Sequence, residues 1–155
     1  MTGPGPRYVA VVGGYEADDA TVALAESVGR LLAEAGAIVV SGGREGVSAA
    51  ACRGASQAGG LTVGLLPGRD RSEANEWVRV AVPTGLGETR NALVVMGADA
   101  VIAFPGRYGT LSEIAFALLN GTRVVSVGAW ASLDADAVVR ADTAEEAVAI
   151  ALDAR

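Results

Sequence analysis

The strongest constraint on the fold of this chain is an alternation. Short, almost continuously apolar and β-branched runs alternate with longer runs of helical period, and glycines mark most of the switches. Residues 8–12, 37–41, 61–66, 100–104 and 123–127 read as strands, with 77–82 a short further one and 137–139 an edge strand. Residues 19–35, 47–58, 86–96, 110–120 and 143–153 read as helices, the last capped by Asp142. In the first helix Leu24, Val28, Leu31, Leu32 and Ala35 share one face; in the fourth, Leu111, Ile114, Ala115, Leu118 and Leu119 do so. Unbroken apolar strands require cover on both sheet faces. With right-handed crossovers, the expectation is an α/β fold: one Rossmann-like, doubly wound parallel sheet of six to seven strands, helices on both faces. A length of 155 residues suits one domain. No repeat or linker divides the sequence, so residues 1–155 are expected to form a single unit, with 1–6 a Gly/Pro-rich lead-in.

The composition removes several chemistries. All 12 basic residues are Arg, with no Lys and no His. A pyridoxal-phosphate Schiff base and a Walker A loop both need Lys, and Ser-His-Asp or Cys-His catalysis needs an imidazole. One cysteine without histidine leaves no zinc site of the usual ligand set, and no metal site is expected. What remains is carboxylates, Arg, hydroxyls, backbone N–H groups or a bound cofactor. The net charge of −6 argues against nucleic acid as a partner. The apolar runs are strand-sized, so no membrane association is expected. Without a signal peptide, and with Cys52 unable to form an intramolecular disulfide, the expected compartment is the cytoplasm. Cys52, mid-helix among alanines, reads as a small core residue.

Ligands of such sheets lie beyond the carboxyl ends of the strands, where strand order reverses. Three glycine-rich segments fall at that edge: Gly13-Gly14, Gly42 to Gly46 (with Gly43), and Pro105 to Thr110. Each runs from a strand end into a helix start, where free N–H groups and the helix dipole favour an anion such as phosphate. Gly106, Arg107, Tyr108, Gly109 and Thr110 are therefore candidate ligand contacts, together with Gly13, Gly14, Gly42, Gly43 and Gly46. The dinucleotide fingerprint is missing: Gly13-Gly14-Tyr15-Glu16-Ala17-Asp18 is not G-x-G-x-x-G, and the second strand ends in Ser41 rather than an acidic residue. Thr110-x-x-Glu113 fits a capping box, and a carboxylate in that first turn can equally face the sugar of a bound nucleotide. Arg107 and Tyr108 either press on a ligand ring or are exposed loop residues. Arg90 is either a ligand contact or an ion-pair partner of Glu88 or Glu113.

Pro105-Gly106-x-x-Gly109-Thr110-x-x-Glu113 resembles the P-G-G-x-G-T-x-x-E motif of the Lonely Guy (LOG), or "lysine decarboxylase-like", phosphoribohydrolases. The likeness extends to the Gly42-Gly43-x-x-Gly46 loop and to Gly87-Glu88-Thr89-Arg90-Asn91. It implies a Rossmann-like fold, a homodimer or homotetramer, and a nucleoside 5′-monophosphate site. By position, Glu113 and Arg90 would be the residues that cut the N-glycosidic bond. Arg107 replaces the second glycine of the motif and Asn91 replaces a Lys, which resembles a sister branch that includes molybdenum-cofactor carrier proteins. Two readings follow from the resemblance. One is hydrolysis of a nucleoside monophosphate, with Glu113 stabilising an oxocarbenium-like state or activating water. The other is non-catalytic carriage of molybdenum cofactor or a related pterin phosphate. Neither implies a resident cofactor; molybdenum cofactor enters only as a ligand. Leu93, Val94 and Met96 are expected to bury a dimer contact on the helix over 86–96.

Overall fold

The computed structural model describes residues 5–134 and 136–153. The expected lead-in lies mostly outside them; only Gly5 and Pro6 are described, and they belong to no regular element. Among these residues seven strands form one all-parallel sheet: β1 (Tyr8–Val12), β2 (Ile38–Ser41), β3 (Thr62–Leu66), β4 (Val80–Pro83), β5 (Ala100–Ala103), β6 (Arg123–Val127) and β7 (Val138–Ala141). Their order is β4-β3-β2-β1-β5-β6-β7. The chain therefore builds outward from β1 in one direction, then returns to pair β5 on its other side. That reversal opens a crevice at the carboxyl ends of β1 and β5, where Val12 is registered against Ala103.

Among the described residues, five helices cover the sheet. α1 (Asp19–Glu34), α2 (Val47–Gln57) and α5 (Ala144–Asp153) pack on one face against Val9, Val11 and Ile102. α3 (Asn91–Met96) and α4 (Tyr108–Leu119) pack on the other against Ala10, Val12 and Val101. The alternation of β1 residues between two cores is the reason its sequence is apolar throughout. Each fully buried Val or Ile contributes roughly 1.5–3 kcal/mol relative to exposure. Cys52 is buried in α2, as its alanine surroundings implied.

Several boundaries differ from the sequence expectations. The strand expected over 77–82 begins only at Val80, because the Asn75 side chain accepts from the Trp77 N–H at 3.0 Å and holds a turn there. The edge strand expected over 137–139 is Val138–Ala141. The helix expected over 86–96 is a 3-10 turn, Gly87–Arg90, followed by α3, since Gly85 and Gly87 take positive φ of 67° and 59° that an α-helix does not admit. The last helix is capped by Thr143, whose hydroxyl accepts from the Glu146 N–H at 3.1 Å, rather than by Asp142.

The fourth helix is rotated relative to its expected stripe. It buries Thr110, Glu113, Ile114 and Ala117, while Ala115 and Leu119 face outward. Val94, expected at a dimer contact, is fully buried in the core, whereas Leu93 and Met96 are exposed. No helix among the described residues is long and apolar enough to cross a membrane.

Candidate functional site

A cavity of about 660 Å³ occupies the crevice beyond β1 and β5. Four segments wall it. The β1–α1 loop contributes Gly13, Gly14 and Tyr15; the β2–α2 loop contributes Gly42 and Arg44; the turn before α3 contributes Glu88, Arg90 and Asn91. The β5–α4 segment supplies Gly106, Arg107, Gly109, Thr110 and Glu113. Neighbouring loops are locked together through their backbones: Gly14 N–H donates to the Pro105 carbonyl at 2.9 Å, and Val47 N–H donates to the Gly14 carbonyl at 3.1 Å. Glycine is required where these loops touch. A Cβ on Gly13 would lie 2.6 Å from a Val47 methyl, and one on Gly106 would collide with the Thr110 hydroxyl.

Thr110 and Glu113 do not form the expected capping box. α4 starts two residues earlier, at Tyr108, with no side-chain cap, so both residues sit inside the helix on its buried face. The close approach of Gly106 to Thr110 permits this early start. Glu113 is 7% exposed and lines the cavity. Burial pushes its carboxyl up to about 8; nearby Arg90 pulls it down, and Glu88 pushes it further up. At neutral pH Glu113 therefore carries its proton and offers an O–H donor.

Arg90 is 4% exposed at the floor of the same cavity. Its Nη1 donates to Asn91 Oδ1, and its Nη2 is so close to the loop that a Cβ on Gly42 would lie 2.9 Å away. Its buried Nε has no acceptor, and among the described residues no carboxylate lies within ion-pair distance of the guanidinium. The pairing with Glu88 or Glu113, one of the two readings of Arg90 from the sequence, is thus not made. Asn91 in turn donates from Nδ2 to Ser112 Oγ at 3.1 Å, and Ser112 donates to the Gly109 carbonyl at 2.6 Å, tying the α3 entry to the α4 entry.

Most of the residues singled out by sequence are brought to this one cavity: Gly13, Gly14, Gly42, Arg90, Gly106, Arg107, Gly109, Thr110 and Glu113. Gly43, Gly46 and Tyr108 are not on its wall. Gly43 takes a φ of 76°, packs on Gly64 and donates to Ser41 Oγ at 3.1 Å. Gly46, with a φ of 67°, comes so close that a Cβ there would strike the carbonyls of Gly14 and Tyr15. Tyr108 is 83% exposed. The three helix entries also differ. Asp18 caps α1 by accepting from the Thr21 N–H at 2.7 Å, so that end is already supplied with an anion. α2 and α4 have no side-chain cap; Val47 N–H of α2 is already given to the Gly14 carbonyl, and the remaining first-turn N–H groups can meet an anion. Tyr15 and Arg44, which also line the cavity, were not among the sequence candidates. Their signal was their position in the same strand-to-helix segments as the glycines.

A seven-stranded parallel sheet with a cavity at the point of strand reversal, walled by glycine-rich strand-to-helix turns, defines a class: a Rossmann-like α/β domain. Within that class, the chain belongs to the SLOG cluster4 family, whose model matches residues 6–154. It is 41% identical over 119 residues to an uncharacterized protein of Archaeoglobus fulgidus, covering 77% of this chain and 78% of that one. Its structure is similar to that of the molybdenum cofactor binding protein of Rippkaea orientalis, with a TM-score of 0.89, 34% identity and 96% of each chain covered. It is also similar to the molybdenum cofactor carrier protein of Chlamydomonas reinhardtii, with a TM-score of 0.86, 30% identity and coverage of 97% of this chain and 98% of that one. The motif over 105–113 thus pointed to the right superfamily, and the departures at Arg107 and Asn91 to the right branch.

Proposed function

We propose that this chain is a non-catalytic binder of molybdenum cofactor or a closely related pterin phosphate. The observation that carries the reading is Arg90, a buried guanidinium without a carboxylate partner, opening into a cavity beside two uncapped helix entries. A buried cation without a counter-charge is costly, and a phosphate supplies the missing charge. Each helix entry adds roughly 0.3–2 kcal/mol for an anion. The cargo itself is suggested by the Rippkaea and Chlamydomonas relatives. The residues suit it: molybdenum in that cofactor is held by sulfurs of the pterin, so the protein needs to grip only phosphate and ring. A cavity of about 660 Å³ is large enough for a phosphorylated bicyclic ligand.

Glu113 is not poised for the ionised role that the hydrolase reading gives it. Stabilising an oxocarbenium-like state or activating water calls for an ionised carboxylate, and burial keeps this one protonated up to about pH 8. As a neutral acid it donates a hydrogen bond to the ligand.

The test is an anaerobic incubation with cofactor released from a molybdoenzyme, followed by gel filtration and assay of molybdenum and phosphate per chain. Stoichiometric retention is expected, and its loss in Arg90→Met, with circular dichroism of the variant unchanged as the check that it is folded. Failure of the parent protein to retain either element would overturn the reading. Release of free base from a panel of nucleoside monophosphates would restore the hydrolase.

The same reading includes self-association. Leu93, Met96, Phe116 and Leu119 leave an apolar surface on the outside of α3 and α4, which a second copy of the chain would cover.

A further inference from the structure

One wall of the cavity differs in character from the phosphate end. The Arg44 guanidinium carbon lies 5.3 Å over the centre of the Tyr15 ring, and both residues line the cavity. Tyr15 is half-exposed and Arg44 partly buried. Glu45 adjoins Arg44 and Glu16 adjoins Tyr15 in sequence, yet among the described residues Arg44 forms no ion pair. It rests on the aromatic face instead. The backbone under this pair is fixed from both sides: Asn75 Nδ2 donates to the Arg44 carbonyl at 2.8 Å and to the Gly43 carbonyl at 3.2 Å. On the other side, Gly46 is pressed against the Tyr15 carbonyl.

We propose that Tyr15 and Arg44 form a preformed wall that takes the planar heterocycle of the ligand, and so decide which phosphate esters are held. A guanidinium is flat and weakly hydrated, and it stacks on π systems on either of its faces. Because the backbone is already fixed, little ordering is needed when a ring settles against the wall. Phosphate goes to Arg90 and the uncapped entries, and the ring to the Tyr15–Arg44 side. Selection is therefore for phosphate esters of fused, flat, nitrogen-rich rings, against sugar or polyol phosphates. This assignment rests on the phosphate site described above and adds the ring to it.

Calorimetric titration with two probes separates the two claims: 6-hydroxymethylpterin phosphate, which has a ring, and glycerol 3-phosphate, which has none. The parent protein is expected to bind the pterin ester at least roughly tenfold tighter. Tyr15→Leu should abolish that preference while leaving glycerol 3-phosphate binding unchanged, and Tyr15→Phe should keep it. Arg44→Lys should reduce the preference without weakening the ringless probe. A preference that survives Tyr15→Leu, or is absent in the parent, overturns the ring wall and leaves the phosphate site standing. Equal weakening of both probes in Arg44→Lys also overturns it, by making Arg44 a phosphate ligand. If the parent binds neither probe, the phosphate site itself falls, and the wall with it.

Discussion

Glu113 is the residue whose role changes most between sequence and structure. Its spacing from Thr110 fits a cap, and a cap would be solvated and ionised. In the fold it is buried beside Arg90 and Glu88, and burial outweighs the attraction of Arg90. The carboxyl titrates near 4.5 when solvated and near 8 in the fold, so between those values the folded state holds the extra proton. Its contribution is fully present below about pH 4.5 and is lost as pH rises through 8, by on the order of a few kcal/mol. Glu113→Gln removes this dependence. Urea unfolding at pH 6 and pH 9 should show the parent losing stability relative to the variant at the higher value. Parallel behaviour of the two proteins would mean that Glu113 ionises freely. None of this was legible in the sequence, because residues 90 and 113 are brought together only by packing of the α3 entry against α4.

Helices were legible as elements but less so as faces. The periodicity of α1 points to Leu24, Val28, Leu31, Leu32 and Ala35, whereas the fully buried positions are Ala25, Val28, Gly29 and Leu32. The difference comes from α2. A Cβ on Gly29 would strike the Ala51 carbonyl, and one on Gly54 the Glu26 carbonyl, so the two helices approach through their small residues. Gly29→Ala should therefore destabilise the protein by about 1–3 kcal/mol through overpacking, even though alanine favours an isolated helix by about 1 kcal/mol. A fall in Tm is the expected result; a rise would show that α1 and α2 have room to separate. In α4 the same logic runs through polar residues. Thr110 and Glu113 turn inward to the site, and Ala115 and Leu119, apolar by periodicity, are left outside.

At the scale of the whole molecule, the consequence is an apolar exterior on the α3–α4 face. Leu119 is 84% exposed, Met96 52%, Leu93 45% and Phe116 36%. A second copy covering this face would give a dimer or larger species by light scattering at micromolar concentration. Leu119→Glu should shift it to monomer while leaving the helical circular dichroism unchanged. A parent that runs as a monomer would rule the contact out. Of the expected surface, Leu93 and Met96 are exposed, whereas Val94 belongs to the core because its helix is shortened to Asn91–Met96 and rests on Ile114 and Ala117.

The sequence by itself determined the layered α/β fold, because strands apolar on both faces and glycine-closed amphipathic segments admit few other arrangements. It also determined which glycine loops meet at the sheet edge, since parallel crossovers send every strand-to-helix turn to the same end. Tertiary structure alone decided which of those turns stay open to a ligand. Asp18 closes one helix entry, Gly46 lies against the neighbouring loop and off the cavity wall, and Arg90 finds itself buried without a counter-charge. Local spacing sets the direction of a chain, but burial, charge pairing and close approach are properties of segments distant in sequence, and they exist only once those segments are packed.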